Sequence, residues 1–326
     1  MTEVGYVTID EIRAAAKALP PVVRRTPTWP YATTPEEIGS ERLFLKLENL
    51  QAIGAYKVRA AFTMVAALTP EQRARGLVLT SSGNFAQAFA LAGKYYNVRT
   101  VVVMLAATSP YKIAAARALG AEVDLFDGPA LERQSRVAAL GRQRGMTVID
   151  TWEERPIVAG HGTLGLEIVQ DLSDVEQILV PVSSGGMAAG VAAAVKQVAP
   201  QVSVIGVQPV GANAAQLSLA AGRPVAIQHW NTIADGLSAR RPGEYPFIHL
   251  QRYLDGIVLV EERDIAIAHV KLRQRAKVLA EPAGAVAVAA YLSQRVDVSR
   301  KTVAVVSGGN LTDETMRELE RLAAQG

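Results

Sequence analysis

A single lysine, Lys57, has the neighbours that a nucleophilic amine needs. It follows an aromatic residue in the segment AYKVR and precedes a run of small residues typical of a helix. Only the neutral form of an amine attacks a carbonyl, and both a helix N-terminus and partial burial favour that form. Lys57 is therefore the candidate covalent residue. The alternative is an ordinary solvated surface cation, the usual state of a lysine.

Three loops of small residues accompany this lysine, and each follows an apolar run. In SSGGM at 183–187, successive backbone N–H groups and two hydroxyls precede a helix, whose dipole favours an anion such as a phosphate. SSGN at 81–84 has the same context and suits a second anion such as a carboxylate, and SGGN begins at Ser307. An ordinary tight turn or, at Ser307, a helix cap is the alternative. A nucleophilic lysine with two anion-binding loops indicates a phosphorylated carbonyl cofactor held as a Schiff base, with an amino acid as substrate.

Strands and helices that alternate along the chain must position these loops. Short apolar runs at 77–80, 122–126 and 177–182 read as strands, and the segments between them read as helices, which is the pattern of a parallel sheet. The passage 222–246 is rich in Pro, Gly and Arg and is predicted to be a surface or active-site rim. Residues 261–279 are predicted to form one continuous helix. The sequence thus predicts an α/β protein.

Composition bounds the function. The 326 residues are enough for two domains, and the absence of cysteine excludes disulfides and thiolate catalysis. The formal net charge is +3, but the basic residues are scattered, so nucleic acid is not an expected partner. No stretch has the length and apolarity of a membrane helix, so no membrane partner is expected and a cytoplasmic protein is the default.

Five segments carry a specific resemblance to a known family. LKLENLQAIGAYKVRAA, SSGNFAQA, PVSSGGMAAGV, EPAGA and VVSGGN occur in this order across nearly the whole chain. The set resembles the fold type II pyridoxal phosphate enzymes, specifically the serine and threonine dehydratase and serine racemase family. The resemblance implies two open, twisted, mainly parallel sheets flanked by helices, with pyridoxal 5'-phosphate in an interdomain cleft. It also implies a large cofactor-binding domain (residues 1–70 and 151–326), a small, mobile, inserted domain that binds the substrate carboxylate (residues 71–150), and a homodimer.

The resemblance assigns a role to each candidate site residue. Lys57 would bind the cofactor as a Schiff base and remove the substrate α-proton, Asn84 would bind the ring hydroxyl, and Ser307 would meet the pyridine nitrogen. The cofactor phosphate would be held by Ser183, Ser184, Gly185, Gly186 and Met187. The substrate carboxylate would be surrounded, mainly by backbone groups, by Ser81, Ser82, Gly83, Asn84 and Phe85.

The implied activity is β-elimination. A β-hydroxy amino acid, such as threonine, serine or a bulkier analogue like phenylserine, would give a 2-oxo acid and ammonia. Amino-acid racemisation is the runner-up, because a serine at position 82 can protonate the opposite face of the α-carbon; its alternative role is to cap the following helix. A non-catalytic module that binds the cofactor is a third and weaker reading.

The chain departs from the family pattern at Phe85, at Gln208 and Ala214, and at His161. Phe85 stands where histidine is usual, so it either enlarges the pocket for a bulkier β-substituent or packs under the loop. Gln208 and Ala214 occupy places where relatives carry acidic ligands of a divalent cation, and hard cations prefer carboxylate oxygens, so no metal site is predicted. His161 replaces a usual glutamine, with an effect that the sequence leaves open.

Overall fold

The computed structural model describes residues 5–31, 41–129 and 132–325. The helices are α1 (Ile9–Ala18), α2 (Lys57–Ala67), α3 (Pro70–Arg75), α4 (Asn84–Tyr96), α5 (Pro110–Ala118), α6 (Arg133–Arg144), α7 (Arg155–Asp171), α8 (Gly186–Val198), α9 (Ala214–Ala221), α10 (Glu244–Tyr253), α11 (Glu262–Lys271), α12 (Pro282–Leu292) and α13 (Asp313–Ala324). The strands are β1 (Thr28–Pro30), β2 (Leu43–Leu47), β3 (Leu77–Thr80), β4 (Thr100–Leu105), β5 (Glu122–Phe126), β6 (Thr147–Val148), β7 (Gln177–Pro181), β8 (Ser203–Pro209), β9 (Gly256–Val260) and β10 (Thr302–Val306).

The larger sheet has six strands in the order β1-β2-β10-β7-β8-β9. Only β1 runs antiparallel to its neighbour, and the other pairs are parallel. Every residue of β7 and β10 is buried, which explains their continuous apolar sequences QILVP and TVAVV. Parallel strands covered by helices on both faces need no polar side.

The smaller sheet has four parallel strands in the order β5-β4-β3-β6 and draws only on residues 77–148. One face packs against α4, and the other packs against α6 through a separate core that includes Val78 and Leu140. The two mainly parallel sheets flanked by helices that the resemblance implies are confirmed. The first two residues of the segment predicted as α6, 130 and 131, lie outside the described residues.

Helix α2 joins the two sheets, because it packs against α4 on one side and α7 on the other. Its first residue is the candidate covalent lysine. Among the helices of the described residues, none is long and apolar enough to cross a lipid bilayer.

Around the larger sheet, the structure differs from the sequence-based prediction in helix α10, strand β9 and the end of α11. The passage expected to be a rim ends in α10, and an edge strand, β9, follows it and pairs with β8. The helix expected over 261–279 ends at Lys271 and continues as a π-helical turn over Leu272–Ala276. Lys277 then adopts a left-handed conformation with φ of 57°, which no regular helix accommodates.

Candidate active site

The turn that leads into α2 fixes the position of Lys57. Tyr56 donates its backbone N–H to the carbonyl of Ser307 at 3.0 Å, and Gly309 donates to the carbonyl of Gly54 at 2.9 Å. Ala55 forms an isolated antiparallel bridge with Gly308. The turn is therefore tied to the loop that follows β10, and it brings Lys57 and Ser307 to the same place.

The Lys57 amine lies between two aromatic rings. Its Nζ lies 4.6 Å from the ring centroid of Tyr56 and 4.2 Å from that of Phe85. Loss of water around the amine lowers the pKa of Lys57 to about 8, and the negative charge of the Glu281 carboxyl group opposes this shift. An amine with a pKa of about 8 is partly neutral near neutral pH, as a nucleophile or a general base requires.

The loop at 183–187 ends β7 and begins α8. Gly185 adopts φ of +99°, in the region that glycine alone enters freely, and a Cβ added there would lie 3.0 Å from Leu250. The backbone carbonyl of Ser184 accepts a hydrogen bond from the backbone N–H of Gly243 at 2.9 Å, so the residue before α10 holds the loop. The N–H groups at the start of α8 have no helical partner and favour an anion.

Next to that loop lies His161, on α7. Its ring lies against Gly186, where an added Cβ would be 3.6 Å from Cδ2 of the imidazole. The ring is buried, and its Nδ1 has no hydrogen-bond partner among the described residues. Burial, with the nearby charges of Lys57 and Arg59, lowers the pKa of His161 well below its usual value, so the imidazole is neutral.

The amide of Asn84 is held at both ends. Its Oδ1 accepts from Nδ2 of Asn310 at 2.8 Å, and its Nδ2 donates to Oε1 of Glu281 at 2.9 Å. Asn310 Nδ2 also donates to the carbonyl of Ile53 at 2.8 Å, which anchors the chain of bonds to the segment before Lys57. The orientation of Asn84 is thereby fixed, with its NH₂ group on the side of Glu281.

Glu281 is the residue before α12 and is only 8% exposed. Burial and the negative charge of Asp235 raise the pKa of Glu281 to about 8, and the hydrogen bond from Asn84 opposes this shift. Its backbone N–H donates to the carbonyl of Gly308 at 3.0 Å. The carboxyl group is thus a second titratable group that belongs to the surroundings of Lys57.

The loop at 81–84 follows β3 and faces open space, because a Cβ added at Gly83 would meet no heavy atom within 4 Å. Ser81 Oγ accepts from the N–H of Gly83 at 3.3 Å. Ser82 Oγ accepts from Thr108 Oγ1 at 3.1 Å and from Arg133 Nη1 at 3.2 Å. Two donors to one hydroxyl oxygen leave the Ser82 proton available for another acceptor.

Phe85 is buried, with 7% of its surface exposed. Its ring packs at 5.4 Å from that of Phe89 and is stacked at 6.0 Å from the imidazole of His161. Of the two alternatives for this residue, this arrangement favours packing under the loop over an open pocket wall.

These groups suit a phosphorylated aldehyde cofactor. A partly neutral lysine amine is available for a Schiff base, the turn at Gly185 has a conformation that a side chain would strain, and backbone N–H groups at the start of α8 suit a phosphate. Ser307 is buried at 3% exposure, and its Oγ lies 3.4 Å from the carbonyl of Ala283. The fold and site define an enzyme that uses a carbonyl cofactor.

Comparison with known proteins identifies the family. The model of the pyridoxal-phosphate dependent enzyme family matches residues 19–308, and the chain belongs to this family. The chain is 39% identical to an L-threonine ammonia-lyase of Thermotoga maritima over 306 residues, 94% of this chain and 76% of that protein.

Solved structures agree with this assignment. A processed threonine deaminase isoform 2 from Solanum lycopersicum superimposes with a TM-score of 0.90 at 32% identity, covering 97% of this chain and 93% of that one. A maize serine racemase superimposes with a TM-score of 0.90 at 29% identity, covering 97% and 98%.

Sequence reasoning missed four residues of the site. Glu281 and Asn310 hold Asn84, and Thr108 and Arg133 hold Ser82. Glu281 is the first residue of the segment EPAGA, so the resemblance offered a signal for it. Asn310 is the last residue of the segment VVSGGN, so the resemblance offered a signal for it too. Thr108 and Arg133 lie in none of the five segments, 26 and 51 residues from Ser82.

Gln208 is fully buried at the end of β8, where the sequence analysis predicts no metal ligand. Its Nε2 donates to the carbonyl of Val182 at 3.3 Å, and its Oε1 accepts from the N–H of Gln216 at 2.9 Å. The neutral amide therefore links α9 to the residue before the 183–187 loop.

We expect neither Mg²⁺ nor EDTA to change the thermal unfolding midpoint, because the amide already makes this link and a ligand stabilises a protein only by binding its folded state. Gln208→Ala should lower the free energy of unfolding by about 1–3 kcal/mol, because it leaves the carbonyl of Val182 and the N–H of Gln216 without partners. Scanning calorimetry of the wild type with and without each additive checks the first result, and calorimetry of Gln208→Ala beside the wild type checks the second. Activation by Mg²⁺ that EDTA removes would contradict the prediction.

Proposed function

We propose that this chain catalyses the pyridoxal phosphate-dependent β-elimination of a β-hydroxy amino acid, with threonine as the first candidate, to give a 2-oxo acid and ammonia. The observation that carries the proposal is the partly neutral Lys57 amine beside two loops suited to anions. The threonine ammonia-lyase and threonine deaminase among its relatives support the reaction type.

In this proposal the chain's own groups position the cofactor. Lys57 attaches it, the loop from Ser183 to Met187 binds its phosphate, and Asn84 and Ser307 bind the ring hydroxyl and the ring nitrogen. When bound, the cofactor supplies a conjugated, electron-withdrawing system that acidifies the α-C–H bond of an attached amino acid. A neutral serine at the ring nitrogen cannot form a charge pair with a protonated ring, so the ring would be less electron-withdrawing than with an ionised partner. This favours prompt loss of a β-substituent.

Substrate handling follows from the other groups. Backbone N–H groups of the loop from Ser81 to Phe85 bind the substrate carboxylate. The Nζ of Lys57, once released, accepts the α-proton and becomes an ammonium group. The packing of Phe85 leaves little reason to expect a preference for an aromatic β-substituent, so threonine and serine come before phenylserine.

Racemisation is the second candidate, and the surroundings of Ser82 favour it. Its hydroxyl accepts two hydrogen bonds and keeps a proton that it can donate. A racemase needs such a donor on the face opposite Lys57. The maize serine racemase among the structural relatives is consistent with this candidate.

The test is a screen of both enantiomers of threonine, serine and phenylserine with detection of 2-oxo acid and ammonia. Elimination predicts equal amounts of both products from at least one L-β-hydroxy amino acid. The same reactions in D₂O, analysed on a chiral column, detect racemisation as deuterium at the α-carbon with formation of the other enantiomer. No 2-oxo acid from any substrate, with the cofactor bound, would refute the proposed elimination.

Three further features remain proposals: a homodimer, a cytoplasmic location, and movement of residues 71–150 as a unit relative to the rest. The confinement of the smaller sheet to residues 77–148 supports the last. Light scattering of the purified protein tests the homodimer, and cell fractionation tests the cytoplasmic location. Hydrogen exchange with and without substrate tests the movement of residues 71–150.

A further inference from the structure

The Lys57 amine has aromatic faces on two sides. Tyr56, the residue before it, presents its ring centroid 4.6 Å from Nζ, and Phe85, from the smaller sheet's side, presents its ring centroid 4.2 Å away. Both distances fall within the roughly 6 Å at which a ring face attracts a cation. An ammonium group at this position therefore gains an attraction that a neutral amine lacks.

The surrounding groups hold these rings in place. His161 lies 4.9 Å from the Tyr56 ring and is stacked on Phe85 at 6.0 Å, centroid to centroid. Its imidazole is neutral, so it braces both rings without adding a cation. A Phe85 ring that is 93% buried, with Phe89 behind it, has little freedom to turn away from Nζ.

The charged groups around Lys57 are few. Glu281, the N-cap of α12, is the carboxyl group whose charge acts on Lys57, and its own pKa is raised to about 8 by burial. Arg59 on α2 is fully buried but is paired with Glu48 and Glu167, away from the amine. On α7 the facing group is the neutral His161. Stabilisation of a protonated Lys57 therefore depends on the two rings as well as on Glu281.

We propose that Tyr56 and Phe85 form an aromatic clamp that holds the Nζ of Lys57 in place as an ammonium group after it has accepted a proton. The inference rests on the proposed function and adds two positioning residues to it. Phe85 then has a role that histidine, the usual residue of the family pattern, would fill differently, because an imidazole can itself take up a proton and repel the ammonium.

The test uses the apoprotein and no substrate. The rate of Schiff-base formation with added pyridoxal 5'-phosphate, followed by absorbance as a function of pH, gives the pH midpoint at which the Lys57 amine becomes neutral. For the wild type we expect a midpoint near the pKa of about 8. In Phe85→Leu, which keeps an apolar group but removes the ring face, the midpoint should fall by about half a pH unit, with capture about threefold faster at pH 7.

Matched variants separate the clamp from simple packing. Phe89→Leu keeps an apolar side chain behind Phe85 and leaves both rings at Nζ, so it should leave the midpoint unchanged. Tyr56→Phe keeps the second ring and should match the wild type, whereas Tyr56→Leu should shift the midpoint downward as Phe85→Leu does. Circular dichroism verifies that each variant is folded, and the Tyr56 pair decides the question if Phe85→Leu does not fold.

An unchanged midpoint in both leucine variants overturns the clamp. A midpoint that rises also overturns it, because it would mean that the rings lower the pKa of Lys57 by excluding water. Since no turnover is measured, loss of the clamp leaves the proposed elimination untouched. Conversely, a failed substrate screen leaves the midpoint measurement valid.

Discussion

Lys57→Ala is expected to abolish covalent attachment of the cofactor and to slow 2-oxo acid formation by about 10³-fold or more. Two losses combine in this variant, because the same Nζ binds the cofactor and accepts the α-proton. The amine is suited to both tasks by its surroundings, which lower the pKa of Lys57 to about 8. No other lysine shares this site in the described residues, since Lys46, although buried, is paired with Glu167 and Asp171.

Mass spectrometry after borohydride reduction should place the cofactor of the wild type on Lys57 and find no adduct in Lys57→Ala. Lys94→Ala is the control, because Lys94 is an exposed lysine near the end of α4. It should retain both the adduct and the rate. An adduct on another lysine of the wild type, or a Lys57→Ala rate within tenfold of the wild type, would remove Lys57 from its proposed role.

The sequence predicted most of the fold because the chain has strong local signals. The runs LVLT and EVDLF predict strands at the residues where the structure has β3 and β5. The helix α10 was missed because EYPFIHLQRY contains a proline. Pro246 lies in the first turn of the helix, where its missing N–H has no intrahelical acceptor to lose.

Within the candidate site, the groups that sequence reasoning found each stand in a local motif. The groups that it missed act through contacts between remote segments: Asn84 bonds to Asn310, which is 226 residues away, and to Glu281, which is 197 residues away. Spacing and periodicity carry no signal for such pairs until the topology is known. Helix α10 also acts on the site through contacts between remote segments, because Gly243 and Leu250 contact the 183–187 loop.

A buried ionic network fixes α2, the helix that carries Lys57. Arg59, two residues after the lysine, is fully buried and binds the equally buried Glu48 through Nε and Nη2, both at 2.8 Å. It also binds Glu167 on α7 through Nη1 at 2.7 Å and Nη2 at 2.8 Å. Burial alone would raise the pKa of Glu48, but the charge and hydrogen bonds of Arg59 hold it below its usual value. The carboxylate and the guanidinium therefore depend on each other.

We expect Arg59→Met to lower the free energy of unfolding by about 3–5 kcal/mol, the cost of leaving a buried charge without its partner. Denaturant unfolding of the apoprotein measures the change. Arg99→Met is the control, because Arg99 and Glu122 form a surface pair with side chains 60% and 41% exposed. Its loss should be below about 1 kcal/mol. Equal losses in the two variants would mean that the buried network adds nothing specific.

The double variant Arg59→Met/Glu48→Met and the pH dependence identify the cause. If the unpaired Glu48 carboxylate is the source of the loss, replacing both partners with apolar groups should recover a large part of it. In Arg59→Met the pKa of Glu48 in the folded state should be raised. The loss of free energy of unfolding relative to the wild type should therefore be full near pH 7.5 and become smaller towards pH 5, as protonation removes the buried charge. A loss of free energy of unfolding that is independent of pH would point to lost packing instead.

Because Lys57 lies half a turn from Arg59 on α2, a shift of this helix would also displace the amine from its two rings. The absorbance of bound cofactor would report that displacement.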